Sequence, residues 1–132
     1  MLGSAETVLI IETDEATRTL YQRELARQFR VISCASEAEA EAVLHNQVID
    51  AMVIEPVGLH DPDWEFLVRS QALSIPIVLC SSLDARRRGV EMGVAAYLVK
   101  PVMPAKLLTT LEQLLHSEYR VPANAFHDSE QL

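Results

Sequence analysis

Four polar residues, each directly after a short apolar run, have side chains that could do chemistry together. They are Glu12 after VLII, Glu55 after AMVI, Ser81 after IPIVLC and Lys100 after AAYLV. If these runs are parallel strands, their carboxyl ends share one edge of a sheet, where such folds bind ligands. Carboxylates beside an ammonium and a hydroxyl can act as nucleophile, metal ligand or ion pair. The sequence therefore predicts one crevice that holds all four.

Composition and charge narrow the class of protein. The 132 residues are 49% hydrophobic and 23% charged, which suits a single domain with a sizeable core. The formal charge of −8 argues against a nucleic-acid surface, because phosphate affinity comes mainly from Lys and Arg. No apolar stretch approaches the ~20 residues that a bilayer crossing needs, and no signal peptide is recognisable. Cys34 and Cys80 lack disulfide or metal spacing, so we expect buried thiols and a cytoplasmic location.

Apolar runs alternate with helical patterns along most of the chain, which predicts a doubly wound α/β fold. The runs are continuous rather than alternating, which indicates a parallel sheet buried on both faces. The predicted strands are 6–12, 29–34, 49–54, 75–80 and 95–99, and the predicted helices are 14–28, 36–46, 61–72, a shortened fourth at 84–91, and one that starts at Pro104.

Capping residues and leucine spacing support the helix assignments. Asp14 or Thr13 can cap the first helix, and Ser36 with Glu39 fits a capping box before the second. The last helix carries leucines at helical spacing over 107–115. We assign residues 1–117 to the folded domain and 118–132 to a polar C-terminal tail or linker.

Three segments, in order, resemble the receiver domain of bacterial response regulators. Val8–Arg18 is similar to the first strand, acidic cluster and following Arg of that family. Ile75–Ser82 is similar to I-P-[VI]-I-x-L-[ST]-A, and Gly93–Pro101 to G-A-x-x-Y-L-x-K-P. The resemblance covers about residues 6–116. It implies a five-stranded parallel sheet of order 2-1-3-4-5, flanked by five helices.

The resemblance also assigns roles to the four polar residues and their neighbours. In the family, two acidic residues after the first strand help to hold Mg²⁺, and Glu12 and Thr13 stand at those positions with Asp14 adjacent. An aspartate after the third strand accepts the phosphoryl group, and here that position is Glu55. The hydroxyl and the lysine that contact the phosphoryl group match Ser81 and Lys100.

Glu55 and Thr13 depart from the family pattern, which leaves three interpretations open. Glu55 still accepts a phosphoryl group with Mg²⁺; or it bonds Lys100 and Ser81 and stands in for the phosphorylated state; or the site is an inert replacement. We expect no catalytic residues, no normal phosphotransfer and no metal, although a weak Mg²⁺ site at Glu12, Asp14 and Glu55 stays open. The predicted function is an atypical receiver that signals through protein contacts.

Two features are candidate surfaces for a partner. Tyr97 matches the aromatic that swings inward when typical receivers are activated, and we expect its ring packed with the polar tip outward. The only dense basic run, Arg86-Arg87-Arg88, is either a solvated face or a contact for an acidic partner or a dimer. The predicted partners are a histidine kinase, an effector domain or a second copy, and not a nucleic acid or a membrane.

Overall fold

A computed structural model describes residues 6–55, 69, 73–81, 87, 91 and 93–116. Five parallel strands form one sheet in the order β2-β1-β3-β4-β5, which confirms the predicted fold class and strand order. None of the helices in these residues is long and apolar enough to cross a membrane. The elements are β1 Thr7–Ile11, α1 Glu15–Leu25, β2 Arg30–Cys34, α2 Glu37–Asn46, β3 Ala51–Ile54, β4 Ile77–Ser81, β5 Ala96–Val99 and α3 Pro104–His116.

Three of the predicted five helices, α1, α2 and α3, lie in the described part of the chain. The helices predicted over 61–72 and 84–91 lie outside the described residues, apart from Arg69, Arg87 and Glu91. The predicted tail at 118–132 also lies outside them.

Burial on both faces of the sheet explains the continuous apolar runs. Every residue of β1, β3 and β4 is buried. Alternate residues of β1 belong to two separate cores: Leu9 and Ile11 pack in one, and Val8 and Ile10 in the other. The first core includes residues of α2, whereas the second includes residues of α1 and α3. The sheet therefore separates two hydrophobic layers, as the sequence predicts.

Strand β2 differs from the other strands because it lies at an edge of the sheet. Arg30 is exposed, and the next three residues are only partly buried. Among the described strands β2 pairs with β1 alone, so it forms one edge of the sheet that they make. The apolar run at 29–34 was expected to be buried on both faces, and that expectation holds fully only at its ends, Phe29 and Cys34.

Both predicted caps are confirmed. The Asp14 side chain accepts a hydrogen bond from the Thr17 backbone N–H at 2.9 Å, so α1 starts at Glu15, three residues after Glu12. Ser36 accepts from the Glu39 N–H at 3.3 Å, and the Glu39 carboxylate accepts from the Ala35 N–H at 2.9 Å. These contacts satisfy N–H groups that the first helical turn leaves without partners.

Helix α3 packs on the same layer as α1 and also reaches the amino-terminal edge of the sheet. Its leucines Leu107, Leu108 and Leu111 are buried beside residues of α1, as their spacing predicts. At its last residue, the His116 ring nitrogen Nε2 lies 2.8 Å from a carboxylate oxygen of Glu6, which precedes β1. This contact joins the end of the last helix to the start of the first strand.

Candidate functional site

The ends of β1 and β3 place Glu12 and Glu55 side by side. Ile11 lies opposite Ile54 in the β1–β3 ladder, and each glutamate is the next residue. The Glu55 N–H donates to the Ile11 carbonyl at 3.1 Å, which extends the pairing to the site. The two carboxyl groups therefore leave neighbouring strands at the same level.

Lys100 joins this pair from the far side of the sheet. Its backbone N–H donates to the Ser81 carbonyl at 2.8 Å, which fixes the end of β5 against the end of β4. Glu12, Glu55, Ser81 and Lys100 thus lie along one edge, at the carboxyl ends of β1, β3, β4 and β5. We call these four residues the rim.

The Lys100 ammonium bridges both carboxylates. Its Nζ lies 2.8 Å from Oε1 of Glu55 and 3.3 Å from Oε1 of Glu12. The Glu12 side chain is 2% exposed, whereas those of Glu55 and Lys100 are 24% and 28% exposed. Lys100 therefore forms ion pairs with Glu55 and Glu12 at once.

The crowding of two acids with one base shifts their protonation equilibria. Burial raises the pKa of Glu55 to about 7; its hydrogen bond with Glu12 adds to the rise, and Lys100 opposes it. Burial alone would lower the pKa of Lys100, but the hydrogen bond to Glu55 and the two negative charges outweigh burial and raise it. The base therefore stays charged, while Glu55 holds a proton more readily than an ordinary carboxyl.

Backbone groups and an arginine hold Glu12 in place. Its second carboxylate oxygen, Oε2, accepts from the Asp14 backbone N–H at 3.0 Å. Its carbonyl accepts from Nη1 of Arg18 at 2.8 Å, and the same nitrogen lies 3.5 Å from the Thr13 carbonyl. The sequence alone predicts no role for Arg18. Its position one turn into a capped helix, where a long side chain can reach back to the preceding loop, is the signal for this contact.

Neither Thr13 nor Asp14 adds a carboxylate to the rim contacts. Thr13 is exposed, and Oδ2 of Asp14 accepts from the Thr17 N–H at 2.9 Å and from the Thr17 hydroxyl at 2.6 Å. The hydroxyl bond to Thr17 is the main cause that lowers the Asp14 pKa. Among the residues that the structure describes, no group of three or more His, Cys, Asp or Glu side chains is arranged to hold a metal ion.

Ser81 lies at the rim but does not bond Glu55. The residue is 6% exposed and is the last of β4, where it is paired with Val99. No hydrogen bond joins its hydroxyl to Glu55 within residues 6–55, 73–81 and 93–116, whereas Oε1 of Glu55 meets Lys100. The interpretation in which Glu55 bonds both Lys100 and Ser81 is therefore met at Lys100 but not at Ser81.

Tyr97 is buried completely, so the expectation of an outward polar tip is wrong. It is 0% exposed, lies opposite Leu79 in the β4–β5 ladder and packs in the same core as Leu9 and Val94. Alternation along β5 directs Tyr97 toward that layer, because Ala96 and Leu98 fill the other. Tyr97 is therefore not a surface for a partner in this conformation.

The basic run is described at one residue only. The Arg87 side chain is 91% exposed, and its Nε lies 3.8 Å from Oε2 of Glu91. Arg86 and Arg88 lie outside the described residues. A solvated face fits Arg87, and the partner surface at this run stays a prediction.

The chain shares sequence similarity with bacterial regulatory proteins, although no protein-family model matches it. It is 32% identical over 124 residues to the sensory/regulatory protein RpfC of Xanthomonas campestris, covering 81% of this chain and 16% of RpfC. It is 28% identical over 124 residues to the hydrogenase transcriptional regulatory protein HoxA of Cupriavidus necator, covering 89% of this chain and 26% of HoxA. The chain therefore spans only a small part of these two relatives.

A third relative and two solved structures extend the similarity. The uncharacterized transcriptional regulatory protein YbdJ of Bacillus subtilis is 26% identical over 118 residues, covering 85% of this chain and 52% of YbdJ. The chemotaxis protein CheY4 of Vibrio cholerae superposes with a TM-score of 0.73 at 23% identity, covering 85% of this chain and all (100%) of CheY4. The receiver domain of the response regulator TorR superposes with a TM-score of 0.76 at 21% identity, covering 83% of this chain and 96% of the TorR domain. The chain thus has the fold of CheY-like receiver domains.

Proposed function

We propose that this chain is an atypical receiver domain of a two-component or phosphorelay pathway, acting through protein contacts without phosphorylation of an aspartate. One observation carries the proposal: Glu55, at the carboxyl end of β3, is held by Lys100 at 2.8 Å and shares that ammonium with buried Glu12. The receiver fold and the regulatory names of the relatives support the signalling part.

The geometry at Glu55 works against phosphotransfer. Its side chain is one methylene longer than aspartate, and in-line attack tolerates little displacement of the nucleophile. The ammonium that would offset the charge of a phosphoryl donor already contacts two carboxylates. A pKa of about 7 also leaves Glu55 partly protonated near neutral pH, which weakens it as a nucleophile.

The neighbouring loop supports the same conclusion. The second acidic position of the family pattern is Thr13, which has no carboxylate. Asp14 is adjacent, but its carboxylate caps α1 through Thr17. The loop that would help to hold Mg²⁺ in a typical receiver is therefore engaged in starting a helix.

The alternative is a working phosphoacceptor that forms an acyl phosphate on Glu55 with Mg²⁺. Glutamate carboxylates can act as nucleophiles, and the Glu55 side chain keeps 24% of its surface exposed. This alternative makes a distinct prediction, so one experiment separates it from the proposal.

The experiment is incubation with a small-molecule phosphodonor and Mg²⁺, followed by intact mass and peptide mapping. We expect no stable mass gain on the wild-type chain. The double variant Thr13→Asp/Glu55→Asp restores both missing aspartates of the family pattern and is the matched control for donor reactivity. A mass gain of one phosphoryl group mapped to Glu55 in the wild type would overturn the proposal.

Protein contacts are the positive half of the proposal. We propose a histidine kinase, an effector domain or a second copy as partner, and cytoplasm as the compartment. Sedimentation of the wild type and Arg87→Glu tests the second copy, because Arg87 is highly exposed and lies in the only dense basic run. Self-association that weakens in Arg87→Glu supports a dimer at this run, and a concentration-independent monomer restricts the partners to other proteins.

A further inference from the structure

We propose that the contact of His116 with Glu6 is a pH-sensitive clasp at the amino-terminal edge of the sheet. While the imidazole is protonated, the clasp holds the last turn of α3 on the start of β1; when the imidazole is neutral, that turn loosens. The two residues are the last and the first that the structure describes. They lie at the edge opposite the rim, so the clasp is separate from the site of the proposed function.

The contact ties a helix end to a position that the sheet fixes. Nε2 of His116 lies 2.8 Å from Oε1 of Glu6, and the two side chains are 42% and 34% exposed. The Glu6 carbonyl accepts from the Arg30 N–H at 2.9 Å, which extends the pairing of β1 with β2 to this residue. His116 is the last residue of α3, and helix ends fray. The free end of α3 is therefore held by a residue that is itself anchored.

The imidazole also packs against an apolar side chain. Its ring centroid lies 5.4 Å from that of Phe29, at an interplanar angle of 42°. Phe29 is 4% exposed and belongs to the same core layer as Leu25, against which Leu114 and Leu115 pack. Release of the last turn of α3 would therefore expose an edge of this layer.

The charge of the imidazole decides how strongly the clasp holds. A protonated ring presents a positive charge to the Glu6 carboxylate and to the carbonyl groups at the end of α3, which favour cations. A neutral ring keeps at most one hydrogen bond without ionic attraction, and only in the tautomer with the proton on Nε2. The hydrogen bond with His116 is the main cause that lowers the pKa of Glu6, which keeps this carboxyl ionised in mild acid. The imidazole is therefore the partner whose charge changes near neutral pH.

Other charged groups surround the pair. Apart from Glu6, the charged residues on the elements around the imidazole are Arg23, Glu24, Arg27, Arg30, Asp50 and Glu112. Arg27 pairs with Glu24 at 2.9 Å, and the Asp50 carboxylate accepts from the Thr7 N–H at 2.8 Å. Arginine is always charged in proteins, and model carboxyl groups ionise at about pH 4, so a change of charge between about pH 5.5 and about pH 8 belongs to histidine.

A double-mutant cycle tests the clasp with the wild type, Glu6→Gln, His116→Gln and the double variant. The unfolding equilibrium constant of each protein is measured in urea at about pH 5.5 and at about pH 8. At the lower pH the two side chains should stabilise each other by about threefold in that constant, as expected for a half-exposed ion pair. At the higher pH the coupling should fall below about 1.3-fold. The titration of Glu55 is common to all four proteins and cancels in the cycle.

Amide hydrogen exchange reports the last turn of α3 directly. At about pH 5.5, exchange at Leu114 and Leu115 should be about threefold faster in Glu6→Gln and in His116→Gln than in the wild type, with exchange in β4 unchanged. His45→Gln alters the other histidine in the described part of the chain, at the end of α2, and is the matched control. It should show no coupling with Glu6 at either pH.

Equal coupling at both pH values would mean that the contact does not depend on charge, and it would overturn the clasp. The absence of coupling at the lower pH would do the same, as would unchanged exchange at Leu114 and Leu115 in both single variants. None of these outcomes depends on phosphorylation at Glu55, so the clasp and the proposed function stand or fall separately.

Discussion

Glu12 and Glu55 stand side by side because the residues before them, Ile11 and Ile54, are paired in the β1–β3 ladder. The two residues are far apart along the chain, but the register of the two parallel strands places them next to each other. With Lys100 bridging them, the rim combines two acids and one base in a mostly buried space. The stability of the protein, the charge of the rim and the geometry of the loop at residues 12–14 therefore depend on each other.

Removing the bridging cation should destabilise the protein. Lys100→Gln leaves the Glu12 carboxylate, 2% exposed, without an ionic partner. We expect a loss of about 2–3 kcal/mol in the free energy of unfolding at neutral pH, below the value for a fully buried pair because Lys100 keeps solvent contact. Urea unfolding measures it, and Lys106→Gln should change stability by less than about 0.5 kcal/mol. Equal effects of both substitutions would contradict a bridging role.

The pH dependence of stability should carry the signature of Glu55. Its folded pKa, about 7, lies above its ordinary value of 4.5, so the folded state binds this proton more tightly than the unfolded state. The contribution of Glu55 to the free energy of unfolding is therefore complete below its unfolded-state pKa of 4.5, and it is lost as the pH rises through about 7.

The corresponding experiment is chemical unfolding from about pH 5 to about pH 8. As the pH rises across this range, the free energy of unfolding of Glu55→Gln should increase relative to that of the wild type by on the order of 1–2 kcal/mol. The reason is that the variant lacks the carboxyl group that loses its proton. Glu15→Gln, which alters an exposed carboxyl in the first turn of α1, is the matched control. Parallel profiles for the wild type and Glu55→Gln would show that Glu55 titrates normally.

Arg18 should stabilise the loop at residues 12–14. Arg18→Ala removes the donor that lies 2.8 Å from the Glu12 carbonyl, and we expect a loss of about 1 kcal/mol. Amide hydrogen exchange at Thr13 and Asp14 should become faster, while exchange in β4 stays unchanged. Arg23→Ala, an exposed arginine of the same helix, should leave the loop protected. Unchanged exchange in Arg18→Ala would mean that the loop is held by Glu12 alone.

Tyr97 should behave as a core residue. Tyr97→Ala removes a ring that is 0% exposed and should cost about 3–5 kcal/mol. Tyr97→Phe keeps the buried ring and should cost about 1 kcal/mol, much less than Tyr97→Ala. Binding of any partner should be equal for the wild type and Tyr97→Phe. A selective loss of partner binding in a stable Tyr97→Phe would instead show that the Tyr97 hydroxyl contributes to the partner surface.

The sequence predicts the strands well, because apolar runs are local patterns, whereas the strand order is implied by the resemblance to receiver domains. The run over 49–54 predicts β3, although the strand begins at Ala51, where pairing with Val8 starts. Ser81 is expected just after a strand and is instead the last residue of β4, since its partner is Val99. Strand ends follow the neighbouring strand, which composition does not reveal.

Side-chain contacts across the sheet are harder to predict than the sheet itself. That Lys100 bridges both glutamates depends on the span from β5 over β4, a property of strand stagger and twist. That Tyr97 is buried depends on which layer covers its face of β5. The contact of Arg18 with the Glu12 carbonyl depends on where α1 begins, which the cap at Asp14 determines. Each of these contacts joins residues that come close to each other only in the folded protein.

The contact of His116 with Glu6 has a practical consequence for engineering. The two side chains meet at 2.8 Å at the edge opposite the rim, so a short linker from residue 116 to residue 6 would close the chain into a ring. Val48, which is 83% exposed in the connection that leads to β3, offers a place to open new termini on that same edge. A circular permutant cut there would keep Glu12, Glu55 and Lys100 in their present geometry while reversing the order in which β1 and β3 leave the ribosome.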